Sequence, residues 1–486
     1  MIVVSRAREL QQVETPWHGH LSSAVTMANA TVLPLPLPRH AIGGALAVPL
    51  EGLGRMFYMV EPEQSMYKTP EEVPFYFRQA WPYFLAFIIL ENLVLWLEHK
   101  PLARLNDSLT SISHGIFQEC GRLVFRGAEH WMYIYIYENF RLADLPWDSA
   151  LTWYLALVGV DFCYYWVHRA SHEVHILWAQ HQVHHSSEDY NLAVGLRQSL
   201  LQGWCGFVFY LPMALVVPPA HFLTHQQFNL LYQFWIHTET IQTLGPLEWV
   251  FNTPKHHRVH HGSNLYCLDK NYGGFLIVWD RLFGTFAEER PKEETVYGLV
   301  FNQPSFNPFY LQIFYNKNVI NKARAMNGWK NKVSAVIKGP SWLPGRPWTG
   351  AEEDKIDVKP RDKYDVRLPL WVNVYLSAHF LLVVLGFQEL ALRYMSMSPL
   401  VVLGFVTYIL ASLTTIGMMF DGRPGVCLLE LVRCAVFVTA APRACGLLAG
   451  APCALLVPGL QLAFGLSGLF WTLQALRVLQ IKIKAK

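Results

Sequence analysis

Charged side chains are scarce in this sequence. Asp, Glu, Lys and Arg make up 15% of its 486 residues, against 52% hydrophobic residues. That balance is too apolar for the two or three soluble domains that this length could form, and it favours a polytopic membrane protein. The formal net charge of +3 is too small to indicate nucleic-acid binding. Cysteine is sparse too: the eight cysteines are scattered and none forms a CxxC pair, so the pattern gives no support for a disulfide framework.

Long apolar runs are what the sequence has instead. Several of them approach the roughly 20 residues that a helix needs to cross a bilayer. Spans of this kind are helical, because backbone polar groups in lipid must bond within their own segment. We therefore predict an all-α, polytopic transmembrane helical bundle. The runs begin at Trp81, Ala150, Ser199 and Leu370, and a further block extends from Pro399 to Leu479.

Composition divides the chain into five parts. The basic residues of the fourth part flank hydrophobic blocks, and this bias predicts that it is cytosolic. The parts are a poorly ordered extension at residues 1–54, an N-terminal membrane region at 55–149, a histidine-rich catalytic region at 150–290, a polar basic connector at 291–368 and a C-terminal transmembrane bundle at 369–486.

Histidine is concentrated in the central region, where thirteen of the twenty histidines fall between His168 and His261. The three boxes there read "HRASH", "HQVHH" and "HRVHH", and spacings of three and four residues stack imidazoles on one face of a helix. His237, at the end of an apolar run, is a plausible ninth ligand. Nine imidazoles exceed what one ion can hold, so we predict two metal ions. The predicted ligands are His168, His172, His181, His184, His185, His237, His257, His260 and His261.

The identity of the metal follows from the ligand type. Imidazole suits iron, zinc, copper and nickel, but structural zinc sites are closed at four ligands that are mostly cysteines. A zinc protease would carry HExxH, whereas "HEVHI" places Ile176 at the second histidine. Two redox-active irons fit best and imply oxygen chemistry. A histidine-rich metal transporter is the less favoured alternative, because its polar residues should be distributed through several spans.

Convergence of the ligands constrains the topology. A single crossing between Ser199 and Trp235 would put the second and third boxes on opposite sides of a hydrocarbon core about 30 Å thick. We therefore predict a hairpin that turns at Pro218 and Pro219, where proline can end a helix. The whole histidine-rich centre then lies on the cytosolic face.

The boxes also carry a family resemblance. Together they resemble the fatty acid hydroxylase and sterol desaturase superfamily of membrane histidine-box di-iron enzymes. The longer segments "DFCYYWVHRASHEVHILWAQHQVHHSSEDYNL", "LYQFWIHTE" and "NTPKHHRVHHGSNLYCLDKNYGG" resemble, more closely, the alkylglycerol monooxygenases of that superfamily. The likeness runs from about residue 55 to the C-terminus.

The resemblance implies a function. In that family the eight box histidines hold two irons in the endoplasmic reticulum membrane, and O2 with tetrahydrobiopterin hydroxylates the ether-bearing carbon of an alkylglycerol. The hemiacetal then collapses to a fatty aldehyde and glycerol. The alternative within the superfamily is a lipid or sterol hydroxylase or desaturase that receives electrons from a cytochrome. No short motif in the sequence indicates the pterin site.

Acidic residues near the boxes are the remaining candidates for catalysis. Asp161 lies two helical turns before His168 in an apolar span, where an unpaired acid is costly, so we expect it to support a ligating imidazole. Glu173 directly follows His172 and is a candidate ligand or substrate contact. Glu188 and Asp189, after the second box, are expected to be solvated.

Overall fold

The computed structural model describes residues 44–125, 130–447 and 457–484. Across these ranges the chain is helical and its extended segments pair only as two isolated β-bridges, so the predicted all-α class is confirmed. Most of the predicted N-terminal extension lies outside the described residues, and the rest of it belongs to the first helix. The α-helices are α1 Gly44–Met56, α2 Tyr76–Leu97, α3 Leu105–Phe125, α4 Trp131–Phe140, α5 Ala150–Glu173, α6 His175–His181, α7 Gln202–Gly206, α8 Pro219–Trp235, α9 Pro254–His261, α10 Val278–Phe283, α11 Pro308–Ala325, α12 Trp329–Ile337, α13 Leu370–Arg393, α14 Pro399–Phe420, α15 Val426–Leu447 and α16 Val457–Lys484.

Four helical segments in the described ranges are long and apolar enough to cross a membrane. They are Pro70–Leu97, which includes α2, then α5, Leu370–Ser396, which includes α13, and α14. Large apolar side chains such as Leu85, Ile89 and Leu381 are exposed on these helices, as expected for surfaces that face lipid hydrocarbon. The chain is therefore a multi-pass membrane protein, as its apolar runs predict.

The apolar run from Ser199 to Trp235 does not cross as one helix. It forms α7, a 3₁₀ helix over Phe207–Leu215 and then α8, with the chain reversing at Pro218. The predicted hairpin is thus present, although its first limb is largely 3₁₀ and contains Pro212, which has no backbone N–H to donate. At 1.5 Å per residue α8 is about 25 Å long, so the turn is far from His237 at the other end.

Helix α4 closes the turn end of this hairpin. The backbone N–H of Leu142 donates to the Leu215 carbonyl at 2.7 Å, and the Tyr133 hydroxyl donates to the Val217 carbonyl at 3.0 Å. His221 lies at this end and is buried. Because the length of α8 separates it from the histidine boxes, His221 is not available to the metal groups.

Apolar packing joins the parts of the bundle. Helix α5 packs against α8 beneath the histidine boxes, and α3 connects the catalytic region to the C-terminal bundle. Phe117 and Cys120 of α3 share one buried cluster with Leu376 of α13 and Leu413 of α14. The C-terminal helices are therefore packed directly onto the part of the chain that carries the site.

The basic connector is packed against the second box. The Tyr364 N–H donates to Glu188 Oε2 at 2.8 Å, and Lys363 Nζ lies 2.8 Å from Asp189 Oδ1. Asp189 Oδ2 also accepts from Arg104 Nε at 2.8 Å. Our expectation that Glu188 and Asp189 are solvated is wrong: both are buried, because the connector folds back over them and supplies their partners.

This topology predicts which residues share a side of the membrane. Lys100 precedes Arg104, which contacts Asp189 just after the second box, whereas Asp144 lies beside the hairpin turn. We expect Lys100→Cys and Lys292→Cys to react with an impermeant maleimide from one side of sealed vesicles. Asp144→Cys should react only from the other side. Labelling of Lys100→Cys and Lys292→Cys from opposite sides would contradict the hairpin.

Candidate metal centre

The structure gathers all nine predicted histidine ligands into two adjoining groups at one end of the helix bundle. Within each group one nitrogen from every imidazole lies within 4.8 Å of the others, and every member is buried. We call them the five-histidine group and the four-histidine group. The first contains His168, His172, His181, His185 and His260, and the second contains His184, His237, His257 and His261.

The repeated His-x-x-His-His motif has a geometric explanation. In an α-helix such as α9, residues four apart lie on one face, whereas the middle histidine of the motif is turned about 100° from its neighbour. The second box begins at the end of α6 with His181 and continues through a turn into a 3₁₀ helix at His184–Ser186, with the same pairing. His181 and His185 accordingly join the five-histidine group, while His184 between them joins the other. The third box reverses the assignment, because His257 and His261 join the four-histidine group. His260 then crosses to the five-histidine group.

Each i,i+4 pair therefore serves one group, and each repeated motif contributes to both. "HRASH" adds His168 and His172 to the five-histidine group. His237 completes the other group from the end of α8, which is where the returning hairpin delivers it. Neighbouring rings of the two groups are in contact: His185 stacks on His261 with ring centroids 4.4 Å apart.

The donor set fits two metal ions. Nε2 of His172, His185 and His261 is buried and has no hydrogen-bond partner among the described residues. A buried nitrogen of this kind is costly unless a metal ion or another group binds its lone pair. Within the five-histidine group, the Nε2 atoms of His168 and His181 face each other and are 3.1 Å apart. Two imidazole nitrogens bound at about 2.1 Å to one ion, roughly at right angles, lie about 3 Å apart.

Protonation favours metal binding as well. Burial, and then the neighbouring imidazoles, hold the pKa of His181, His185 and His261 well below the usual value. These rings are therefore neutral at physiological pH, and each has a nitrogen lone pair available. Neutral imidazole is the form that binds iron, zinc or copper.

Backbone carbonyls orient several rings through their second nitrogen. Nδ1 of His168 bonds the Tyr272 carbonyl at 2.8 Å and Nδ1 of His260 bonds the Lys270 carbonyl at 2.8 Å. An N–H donated by Nδ1 leaves Nε2 as the ligand atom. Asp269 and Asn271 adopt left-handed φ angles of 60° and 55°. This unusual backbone belongs to the segment that presents both carbonyls to the five-histidine group.

An ion-paired arginine orients the other group. The Arg197 carbonyl accepts from His184 Nδ1 at 3.1 Å, while its guanidinium contacts Asp107 at 3.1 Å and Ser186 at 3.0 Å. Arg197 and Asp107 are 1% and 3% exposed. Loss of either partner would leave a buried charge unpaired, which typically costs about 3–5 kcal/mol.

Glu91 of α2, like Arg197, was not among the residues that the sequence analysis identified. Its carboxylate accepts from the Leu192 N–H at 2.9 Å and from the Thr238 hydroxyl at 2.6 Å. It thereby ties the segment after the second box to the residue beside His237. The available signal was an acid within an apolar run, because such a residue needs a partner.

Asp161 is placed differently from our expectation. Its two oxygens accept from Asn229 Nδ2, the N–H groups of Phe275 and Leu276, and Trp279 Nε1, at 2.7 to 3.1 Å. These contacts join α5 to α8 and to the start of α10, and the carboxylate is fully buried among them. The two turns that separate Asp161 from His168 place it about 10 Å along the helix, where it fastens the scaffold and contacts no ligating ring.

Glu173 lies outside both histidine groups. Its Oε1 accepts from Arg169 Nε at 2.9 Å, and the side chain lines a polar cavity of about 540 Å³. Asp269, Lys270 and Lys355 line the same cavity. The cavity and the metal centre share part of their walls: the Lys270 carbonyl bonds His260, and Glu173 follows His172 at the end of α5.

Comparisons with known proteins agree with this geometry. The family model for fatty acid hydroxylase matches residues 153–285, and that for the alkylglycerol monooxygenase C-terminal domain matches residues 372–449. Alkylglycerol monooxygenases of Xenopus tropicalis, Homo sapiens and Danio rerio are 47%, 46% and 45% identical over 80% of this chain and 87% of their own lengths. The chain belongs to the alkylglycerol monooxygenase family. No solved structure matches it significantly.

Membership of the alkylglycerol monooxygenase family rests on more than the histidine boxes. The ornithine lipid hydroxylase OlsE of Rhizobium tropici is 32% identical, but over only 32% of this chain. The match of a C-terminal domain model specific to alkylglycerol monooxygenases, together with the long alignments, separates this family from the wider superfamily.

Metal content tests the ligand assignment. We expect His185→Ala to lower the iron bound per purified chain, because the five-histidine group loses one ligand and its neighbours are already in use. The matched control is His221→Leu, which removes an equally buried imidazole at the far end of α8 and should retain wild-type iron. Mass spectrometry of the metal gives the ratio, and equal iron in both variants would contradict the assignment.

Proposed function

We propose that this protein is a di-iron monooxygenase that hydroxylates the ether-bearing carbon of alkylglycerols with O2 and tetrahydrobiopterin. One oxygen atom enters the C–H bond and the other leaves as water, with two electrons from the reduced pterin. The hemiacetal then collapses to a fatty aldehyde and glycerol. The observation that carries the proposal is the pair of adjoining groups of five and four buried imidazoles in a membrane helix bundle.

The chain's own residues supply position and environment. The nine imidazoles would hold two irons, which supply O2 activation when bound. The carbonyls of Tyr272, Lys270 and Arg197 keep three of the rings in the orientation that presents Nε2. Burial of all nine ligands keeps bulk water from the oxidant, so the reaction is directed to the bound alkyl chain.

The substrate's amphiphilic character suits the position of the site. The histidine groups lie where α5 ends, so an alkyl chain can remain among the membrane helices while a glycerol head stays at the polar end. The basic connector supports placing this end in the cytosol. Named relatives that act on alkylglycerols support the substrate class, and we propose the endoplasmic reticulum as the membrane.

The polar cavity beside Glu173 is suited to the reduced pterin. Its volume of about 540 Å³ is within the usual range for small-ligand sites. Glu173 and Asp269 offer carboxylates for the N–H groups of a pterin ring, and Tyr266 offers an aromatic face. The cavity is next to the five-histidine group, because Lys270 lines it and its carbonyl bonds His260.

Substrate and reductant are tested together. Purified protein in lipid nanodiscs should release fatty aldehyde from a 1-O-alkylglycerol in proportion to the tetrahydrobiopterin consumed, and should leave the matching 1-acylglycerol unoxidised. A sterol or acyl-lipid product formed with a reduced cytochrome, and no pterin-dependent aldehyde, would favour the alternative hydroxylase or desaturase. Tight metal binding without any turnover would favour a transporter.

Asp269→Asn tests the cavity. Asparagine tolerates the left-handed φ of 60° at this position, so the backbone should survive while the carboxylate charge is lost. We expect a higher KM for tetrahydrobiopterin and weaker pterin binding by fluorescence quenching, with unchanged iron and unchanged KM for the alkylglycerol. Glu288→Gln, which alters an acid outside the cavity lining, is the matched control. An unchanged pterin affinity in Asp269→Asn would place the pterin elsewhere.

A further inference from the structure

The connector contains a long segment without a single acidic residue. Between Glu294 and Glu352 the sequence has no Asp or Glu. The same segment contains α11 and α12, joined by a short turn at Met326–Gly328. It carries seven basic residues, namely Lys317, Lys322, Arg324, Lys330, Lys332, Lys338 and Arg346.

The outward face of α12 is apolar. Trp329, Val333 and Ile337 follow each other at intervals of four and therefore form one stripe. These side chains are 71%, 47% and 44% exposed, so no described part of the chain covers the stripe. At 100° per residue, Lys330 and Lys332 lie on either side of it, and both are exposed.

Helix α11 shows the same combination of side chains. Phe309, Ile313 and Ile320 are 51%, 48% and 49% exposed. Lys317 and Arg324 are also exposed and share this stripe, because all five positions are spaced by three or four residues. Apolar and cationic side chains thus alternate along one outward face.

The opposite faces of both helices are held against the second box. Gln182 Nε2 donates to the Leu311 carbonyl at 3.0 Å, and His175 Nδ1 bonds the Ala335 carbonyl at 2.7 Å. Gln180 Nε2 donates to Asn316 Oδ1 at 3.0 Å. These bonds fix which face of the hairpin points inward, so the apolar and basic stripes must point away from the protein.

We propose that the α11–α12 hairpin lies in the plane of the membrane, with its outward face seated in the headgroup region of an anionic leaflet. Helices with an apolar face and flanking lysines bind this region, with the apolar side chains about 5–10 Å below the headgroups. Trp329 suits the interface, where tryptophan is enriched. Basic residues near an anionic surface add electrostatic attraction.

A lipid surface explains the face better than a second copy of the chain. In a symmetric dimer through this face, the four exposed basic residues of one copy would meet the same four of the other, with no acid in the segment to offset them. A membrane span also follows the hairpin in the chain, because the span that contains α13 begins at Leu370. The proposal does not depend on the reaction that the metal centre performs.

Depth of insertion tests the proposal. An environment-sensitive fluorophore is attached to Val333→Cys in a cysteine-depleted background that retains iron, and the protein is reconstituted in vesicles containing phosphatidylserine. We expect lipids brominated near the headgroup end of their acyl chains to quench this label strongly. Leu381→Cys, on the exposed surface of a span, is the positive reference, and Lys292→Cys, in an exposed polar segment, is the negative reference. Quenching at position 333 no stronger than at 292 would overturn the proposal.

Charge provides the second arm. Replacing Lys317, Arg324, Lys330 and Lys332 with Gln together should lower quenching at position 333 in phosphatidylserine vesicles toward its value in phosphatidylcholine vesicles. Iron content should stay unchanged, which shows that the fold survives. Quenching that is equal with and without the four substitutions, and equal in the two kinds of vesicle, would overturn the anionic part of the proposal. If position 333 cross-links to another protein chain and lipids do not quench its label, the face binds a protein partner and the membrane proposal is overturned.

Discussion

The convergence of nine imidazoles in a buried space is the constraint on which the rest of this structure depends. Each ring must keep one nitrogen free as a ligand while its other nitrogen finds a partner, because an unsatisfied buried polar atom is costly. Backbone carbonyls meet much of that demand, as those of Tyr272 and Arg197 show. Surrounding features then follow: the left-handed backbone at Asp269 and Asn271 lies where two carbonyls must approach two rings.

The membrane sets the second requirement. Ligands on both sides of a long apolar run can meet only if that run returns to its starting side, and the limb ending at Pro218 followed by α8 achieves this. Acidic residues within the apolar helices also help to bring the histidines together. Asp161 and Glu91 each accept hydrogen bonds from two other segments. Both side chains are buried, so water does not compete for these bonds.

Sequence patterns predicted the helical class, the hairpin and the nine histidines that the structure brings together, because each depends on local spacing or on the length of apolar runs. They did not predict how ligands divide between the two groups. That division depends on how α9 and the segment from His181 to Ser186 are oriented relative to each other, which is set by tertiary packing. The placements of Asp161 and of Glu188 failed for a related reason: a residue's distance along its own helix is readable, but partners such as Tyr364, far along the chain, are not.

The histidine groups lie between a polar cavity and the apolar helix bundle. On the polar side, the segment containing Lys270 and the end of α5 line the cavity and also carry or orient members of the five-histidine group. On the other side, α5 and α8 extend into the apolar bundle. A polar reductant and an apolar chain would therefore approach the same histidines from opposite directions. Because the Lys270 carbonyl orients His260, a change that moved this segment away from the cavity would also disturb a ring of the five-histidine group, which ties access from the aqueous side to the integrity of the metal site.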